Sequence, residues 1–562
     1  MKKIITRCYF MSKSTIGIIF TSVIVLGSFA FIQCTEKRVT LDITPEELYQ
    51  KLLSNPHIKE FPRGGQFAWY ASKGMVYYRP HLIWEGPGGQ SLWYASWNAT
   101  EGMGQFLNCY KETKDTSWLD TAVKYYDFVM SRMDKDPDGY VGFFGSYGKE
   151  SKYWTDDFFE IKFFSELLSF SKLVLDDESL KNKYGDKAES YIKLAKNCIE
   201  KWDKRGCWYQ EEPYGMYVSF SQKYLTPNDL NEWKYFDNPR RSTSSFNVIT
   251  DIAQLCIRIY GLTGDNFYRN KADKIFLNVK RRFQYFDDHY VWNYWEPFGI
   301  WDLDIERKQP KSSVGLHPYR SEYDGFVVQK IVEAYHFGIV FDEQDMKRII
   351  NTNLNVMWNK DLNNPEFFNL DGSGTEKDTT GIGAFRQNYG PSNDFKNQGE
   401  LWTGLLDFDQ TIRDIYSVQL KNYSEKLEIF KKWSNENPPS FERKYIKEKV
   451  NIPEMDFTEC RCLSMAAVLP HIIEKGKKSV IICKSLESGE LEISLYSKDG
   501  KNKIKTLHKD SIEGYKGISS REGIFMITWD GTDPDKKENY KGDYKIRWSF
   551  KDKYREFPIF IK

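Results

Sequence analysis

WLDTAVKYYDFVMSRM, residues 118 to 133, is the stretch whose reading decides the fold. Leu119, Ala122, Val123, Tyr126, Val129, Met130 and Met133 recur at steps of three and four, which marks one face of a helix rather than a strand's alternation. Residues 342 to 358 repeat the pattern through Met346, Ile349, Ile350, Leu354 and Trp358. Working outward, such segments come in pairs: 100 to 113 with 117 to 133, 157 to 176 with 186 to 204, 245 to 263 with 266 to 285, 322 to 339 with 342 to 358, and 397 to 418 with 422 to 433. Thr44-Pro45-Glu46-Glu47 opens an earlier helix, with Thr44 as cap and two acids at the positive end of the dipole. The expectation is a mainly α fold of stacked helical hairpins.

The connections between pairs are long, unlike one another, and rich in Trp, Tyr, Gly and acids, whereas open solenoids have short and uniform loops. This favours hairpins closed into a ring. Over residues 45 to 435 the chain resembles the (α/α) toroid, or six-hairpin, carbohydrate-active enzymes, a superfamily of glycoside hydrolases and polysaccharide lyases. Past Asn435-Glu436-Asn437-Pro438-Pro439 short alternating runs replace helices. With Leu495-Tyr496-Ser497-Lys498-Asp499-Gly500, Thr528-Trp529-Asp530-Gly531-Thr532 and Gly542-Asp543-Tyr544, residues 475 to 562 resemble the immunoglobulin-like module of secreted bacterial proteins and flagellar hook-capping proteins. The expected organisation is a signal peptide at 1 to 34, an aromatic loop-rich segment at 35 to 98, the toroid at 99 to 435, a linker at 436 to 474, and a small β-sandwich at 475 to 562 that acts as a spacer.

The net charge of +1 over 562 residues gives no basic excess, so no nucleic-acid partner is expected. Aromatic residues make 16% of the chain and crowd into loops beside carboxylates, a composition suited to stacking on sugar rings. A basic leader of Lys2, Lys3, Arg7 and Lys13 precedes the apolar run from Ile16 to Ile32, with Cys34 at its end. This resembles a bacterial lipoprotein signal, which implies lipidation at Cys34 and an extracytoplasmic, membrane-anchored protein. Gln33 and Phe31 depart from that pattern, and an uncleaved anchor is the competing reading. Cys109, Cys198, Cys207 and Cys256 read as small buried hydrophobes, while Cys460 or Cys462 can pair with Cys483. No metal or cofactor is expected: no zinc spacing occurs, and Asp134-Lys135-Asp136-Pro137-Asp138-Gly139 lacks the acid that closes a calcium loop, Gly145 standing there instead.

Candidate site residues fall in the loops. Tyr153-Trp154-Thr155-Asp156-Asp157 resembles the Trp-x-Asp-Asp pattern of the unsaturated glucuronyl hydrolases, which implies that Asp156 or Asp157 is a general acid and base; as a plain reading, either caps a helix. Glu211 or Glu212 is a candidate partner carboxylate, since glycoside hydrolysis uses two. The stretch from Tyr290 to Asp324 has no period and carries Trp292, Trp295, Glu296 and Trp301, expected to bind substrate, as are Trp69, Trp84, Trp93, Trp154, Arg241, Arg320, Tyr323, Arg386 and Tyr389. His317 and Tyr319, with Arg320 or Arg386 neutralising a uronate, compose an alternative lyase site. Three functions remain open on the sequence: hydrolysis of an oligo- or polysaccharide, β-elimination on a uronate polymer, and glycan capture without catalysis.

Overall fold

Among the described residues, helical periodicity in the sequence becomes ten α-helices in the computed structural model: α1 (Pro45–Leu53), α2 (Met103–Thr113), α3 (Ser117–Met130), α4 (Glu160–Asp176), α5 (Glu178–Lys204), α6 (Phe246–Thr263), α7 (Asn266–Lys280), α8 (Glu322–His336), α9 (Glu343–Asn351) and α10 (Gln410–Lys421). The structure describes residues 41, 43–54, 103–135, 140–143, 154–155, 158, 160–222, 241–286, 288–311, 322–372, 401–421, 462–474, 476–515, 522–533, 535 and 539–562. Caps set the helix limits. The Thr44 hydroxyl accepts from Glu47 N at 3.2 Å while Glu47 accepts from Thr44 N at 2.7 Å. Asp177 accepts from Ser179 N at 3.0 Å, and α5 therefore starts eight residues before the expected position 186. Gly264, at φ +71°, ends α6 in the left-handed conformation that favours glycine. Pairs α2/α3, α4/α5 and α6/α7 pack as hairpins, and α6 also packs on both α4 and α8.

The short strands between the helices are what the periodicity did not announce. Between helices lie β1 (Asp134–Lys135), β2 (Val141–Gly142), β3 (Trp154–Thr155), β4 (Trp208–Glu211), β5 (Tyr214–Tyr217), β6 (Ser219–Gln222), β7 (Arg241–Ser242), β8 (Gln284–Phe286), β9 (His289–Val291), β10 (Leu303–Asp304) and β11 (Gln309–Pro310). After them come β12 (Leu463–Leu469), β13 (Ile472–Ile473), β14 (Ser479–Ser485), β15 (Gly489–Ser497), β16 (Lys503–Ile512), β17 (Ile524–Trp529), β18 (Gly542–Phe550) and β19 (Lys553–Ile561). The last eight form a three-stranded sheet in the order β12-β14-β17 and a five-stranded sheet in the order β13-β19-β18-β15-β16. The two sheets share one core that includes Leu463, Ile481, Leu491, Ile493, Trp548 and Phe557.

This overturns the mainly α toroid. The described residues are 46% helix and 25% strand, a mixed α and β composition. Two reasons account for the error. Strands of two to four residues in the inter-helix loops are too short to display a period of two. In addition, Leu463–Leu469 is buried at every position, so it shows no alternation, and it lies within the stretch read as a linker. Cys462 and Cys483, candidates for a disulfide, are both free thiols.

Helical and sheet cores belong to one unit, Leu41–Lys562. Polar bonds stitch them together. Asn293 Nδ2 donates to Ser464 O at 2.8 Å, Gln284 Nε2 donates to the same carbonyl, and Ile472 N donates to Glu211 Oε1 at 2.6 Å. Trp295 and Leu303, from the segment between β9 and β11, pack into the sheet core rather than the helical one.

Within the helical part, Asp345 joins three elements. Its buried carboxylate meets Lys280 Nζ at 2.6 Å, accepts from Tyr290 OH at 2.6 Å and accepts from Asp342 N at 2.9 Å. Removing one partner of a buried pair leaves an uncompensated charge, so Asp345→Ala is expected to lose about 3–5 kcal/mol. Asp342→Ala, which removes only a cap, is expected to lose about 1 kcal/mol. Urea unfolding of both variants followed by circular dichroism checks this ranking.

Candidate active site

The head of α6 is built around one carboxylate. Asp302 is buried and accepts four hydrogen bonds: from Thr243 N at 2.9 Å, Thr243 Oγ1 at 2.6 Å, Phe298 N at 2.9 Å and Gly299 N at 3.3 Å. Burial pushes its pKa up against the four donors. Thr243 Oγ1 in turn accepts from Trp301 Nε1 at 2.9 Å, and Thr243 O accepts from Trp295 Nε1 at 2.8 Å. Phe246 N donates to Tyr294 O at 3.1 Å. Trp292 Nε1 donates to Asp324 Oδ1 at 3.2 Å, which ties the same segment to the head of α8.

The expected sugar platforms are therefore internal. Trp292 is fully buried, stacked between Phe283 at 4.7 Å and Trp402 at 5.4 Å, and Trp301 meets the Tyr209 ring edge-on at 4.9 Å. Trp295 is also buried. A buried indole needs a partner for its N–H, and each of the three has one. Glu296 is fully buried as well, accepting from Asn293 Nδ2 at 2.7 Å, with Arg282 Nε 3.9 Å away. These four residues are buried behind the head of α6.

The backbone does gather separate candidate segments. In the sheet β3-β6-β7, Trp154 pairs with Gln222, Thr155 with Ser221, Phe220 with Arg241 and Ser219 with Ser242. The step just before α4 is thus joined to the step just before α6, about ninety residues later. Asp156 and Asp157 follow β3 directly but lie outside the described residues, as do Cys34, Trp69, Trp84, Trp93, His317, Tyr319, Arg320, Arg386 and Tyr389. The side chains of Trp154, Arg241 and Tyr323 also lie outside them.

Sequence reasoning missed a charged seam between α4, α6 and α8. Arg258 reaches Glu333 through Nε at 2.9 Å and Nη2 at 3.1 Å, and its Nη1 donates to Ser165 O at 2.8 Å and Ser169 Oγ at 2.9 Å. Lys330 Nζ lies 2.7 Å from Asp251 Oδ1. The pairs 251 with 330 and 258 with 333 increase together, so α6 and α8 run parallel and their heads share one end. Glu166 is the remaining carboxyl: it is 4.0 Å from Arg258 Nη1, its side chain is a quarter exposed, and it has no hydrogen-bonded partner among the described residues. Its Oε2 lies 3.7 Å from where a Cβ on Gly104 would stand, at the head of α2. Burial raises its pKa, with Arg258 and Lys162 opposing and Glu333 adding to the rise. The signal was present in the sequence, since Asp251, Gln254 and Arg258 interrupt an apolar helix at a spacing that puts them on one face.

Glu211 and Glu212 turn away from this set. Glu211 accepts from Tyr209 OH at 2.9 Å and from Ile472 N, and its Oε2 is 2.9 Å from His471 Nδ1; Glu212 is exposed and paired with Lys274. Glu211 thus fastens the β4-β5 hairpin to the sheets. No protein-family model matches the chain, and no curated protein matches it in sequence.

Two pH dependences follow. Burial raises Glu211's pKa, but the hydrogen bond and charge of His471 and the Ile472 amide bring it below its ordinary 4.5. For His471, burial and Arg281 outweigh Glu211 and the Glu212 carbonyl, leaving it below 6.5. Both shifts are depressions, so the contact is at full strength above the ordinary histidine value and weakens as pH falls through it and then through the carboxylate range. Glu211→Ala, which leaves the Ile472 amide unpaired beside a neutral His471, is expected to lose about 1–3 kcal/mol at neutral pH and to remove the acid sensitivity in the carboxylate range while the histidine part remains, read as melting temperature against pH. Glu166 has the opposite sign. Its raised pKa means that its stabilising contribution is present below 4.5 and lost as pH rises through its folded value. Glu166→Gln is expected to melt higher than the parent chain at neutral pH, the gap closing in acid.

Proposed function

We propose that this protein is a carbohydrate-cleaving enzyme that hydrolyses glycosidic bonds at the heads of α4, α6 and α8. The observation that carries this reading is the β3-β6-β7 sheet, in which the backbone immediately before Asp156-Asp157 and that of Arg241 both pair with the central strand β6. The backbone steps that precede α4 and α6 are thereby tied to one strand. Glycoside hydrolysis needs a protonated acid at the glycosidic oxygen and a second carboxylate on the opposite face to activate water or attack the sugar. In this proposal Asp156 or Asp157 is the ionised carboxylate that activates water or attacks the sugar, and its partner is the acid. Glu166 replaces Glu211 as the partner carboxyl, because the Glu211 carboxylate is committed to the sheets. A carboxyl kept from hydrogen bonds in a half-closed seam holds its proton to higher pH, which suits an acid working near neutrality. Arg240 and Arg241 are suited to an anionic substituent through their planar forks.

The leader and Cys34 support an extracytoplasmic enzyme tethered by a lipid. Among the described residues no helix is long and apolar enough to cross a membrane.

The test is a panel of neutral, uronic and sulfated glycans assayed for new reducing ends and for ultraviolet absorbance of unsaturated uronates. Hydrolysis gives the first without the second. On the glycan that is turned over, Asp156→Asn or Asp157→Asn is expected to lower kcat by about 10²–10⁴-fold, the range typical of a lost general acid or base. Absorbance from the conjugated double bond would transfer the chemistry to elimination by His317 or Tyr319. Full turnover in both variants would remove these aspartates from the mechanism.

A further inference from the structure

The joint between helices and sheets contains buried polar atoms that the side chains around them leave unmatched. Arg282, Asn293, Glu296 and Ser464 are each at most 1% exposed. Among the described residues, Arg282 Nε, Asn293 Oδ1, Glu296 Oε2 and Ser464 Oγ have no hydrogen-bond partner. Buried polar atoms are as a rule hydrogen-bonded, so four orphans in one joint call for a physical cause.

Neighbouring bonds keep these groups from closing on one another. Arg282 Nη1 donates to Asn278 Oδ1 at 3.2 Å, its Nη2 donates to Pro297 O at 3.3 Å, and its guanidinium lies 3.8 Å from the centre of the Phe298 ring. Glu296 Oε1 accepts from Asn293 Nδ2 at 2.7 Å, and the same nitrogen donates to Ser464 O at 2.8 Å. Ser464 stands where the register of β12 on β14 shifts, between Leu463 and Met465, and a bulge of this kind re-aims the residue it contains. Its carbonyl also accepts from Gln284 Nε2. Arg282 Nε and Glu296 Oε2 are left 3.9 Å apart, too far for a hydrogen bond.

An occupant that joins them must accept from the Arg282 N–H and donate to the Glu296 oxygen. A metal cation would be set against the guanidinium. A halide accepts but cannot donate, and it would be set against the carboxylate; Arg281 and Arg555 add positive charge around Glu296, which makes it the competing occupant. Water does both, and hydrogen bonds of about 2.8 Å to each atom span the separation. We propose that one water molecule is a built-in part of this joint, accepting from Arg282 Nε and donating to Glu296 Oε2, with Asn293 Oδ1 or Ser464 Oγ as its third partner. Three such bonds are usual for a buried water. The pair is then hydrated inside the protein rather than in contact. The water ties the end of α7 to the segment that runs on to Asp302, which Asn293 fastens to the bulge of β12. This inference concerns the joint alone and holds whether or not the helix heads cleave glycans.

The experiment is a crystal structure of the full chain in detergent, at a resolution that orders buried waters, with a second crystal soaked in sodium bromide and measured at the bromine edge. One peak is expected within about 2.6–3.2 Å of both Arg282 Nε and Glu296 Oε2, without anomalous signal after the soak. Arg282→Met combined with Glu296→Met replaces the pair by apolar side chains, a change that buried pairs often tolerate, and is expected to lose the peak. Should that variant not fold, the two parent crystals decide. The proposal is overturned if Arg282 Nε and Glu296 Oε2 meet directly, if the joint shows no peak, if bromide gives an anomalous peak there, or if the peak persists in the double variant.

Discussion

The Asp302 carboxylate is the knot on which the arrangement of this chain depends. Four donors converge on it from two places, Thr243 at the head of α6 and the Phe298-Gly299 amides, and no carboxylate can satisfy them unless those segments are in register. Once it does, Thr243 receives both Trp301 and Trp295, and Trp295 is delivered into the sheet core. One residue's bonding thereby orders a helix head, an irregular segment more than fifty residues later, and the packing of a body that begins after residue 460. The backbone bonds from Thr243 and Gly299 matter as much as the charge, because an unpaired buried N–H would cost about as much as a lost hydrogen bond.

Two buried arginines show how geometry decides the outcome for the same ion pair. Arg282 and Glu296 are both fully buried, yet their closest approach is 3.9 Å, outside hydrogen-bonding range. At that distance an attraction of about 4 kcal/mol at an effective dielectric constant of about 20 does not offset the several kcal/mol lost per desolvated ion. Burial accordingly raises Glu296 and lowers Arg282, the latter also repelled by Arg281. Arg258 is as buried, but it grips Glu333 with two parallel bonds and has two further acceptors on α4. There the partners win, and Arg258 is raised despite its burial. The first pair contributes shape at the joint between helices and sheets; the second holds three helices in register.

Helices were readable in the sequence because a 3.6-residue period survives any tertiary context. The starts of α2, α3, α6, α7, α8 and α9 fall within a few residues of where the periodicity puts them. The short strands between the helices were not readable, since β3 and β7 owe their existence to each other through β6 and have no local pattern to betray them. The segment around Trp292 failed for a related reason. A stretch without period ordinarily lies at a surface, where its polar groups meet water. Here its side chains are what find partners: Trp295, Trp292 and Asn293 donate to Thr243, Asp324 and Ser464, acceptors up to about 170 residues away, and the segment is buried. Aromatic residues in such a stretch are ambiguous without knowing where their N–H groups go. A charged residue inside an apolar helix is a firmer signal, because it must be matched by another helix, and Arg258 with Asp251 would have pointed to the seam.

The same accounting changes what the sheets are for. A spacer would touch the helical part through a linker and little else. Instead, Trp295 and Leu303 from the helical side complete the sheet core, while Ser464, His471 and Ile472 from the sheet side satisfy Gln284, Asn293, Glu212 and Glu211. Each body contains buried groups whose partners the other supplies, so neither is fully satisfied alone. The segment that braces the heads of α6 and α8 is thus clamped on its far side by the sheets. Any shift of the sheets would be felt at Thr243, and through β7 at the strand that precedes Asp156 and Asp157. A site made of loops at helix heads gains its rigidity from this backing, because the loops have few regular hydrogen bonds of their own and fixed geometry must come from what lies behind them.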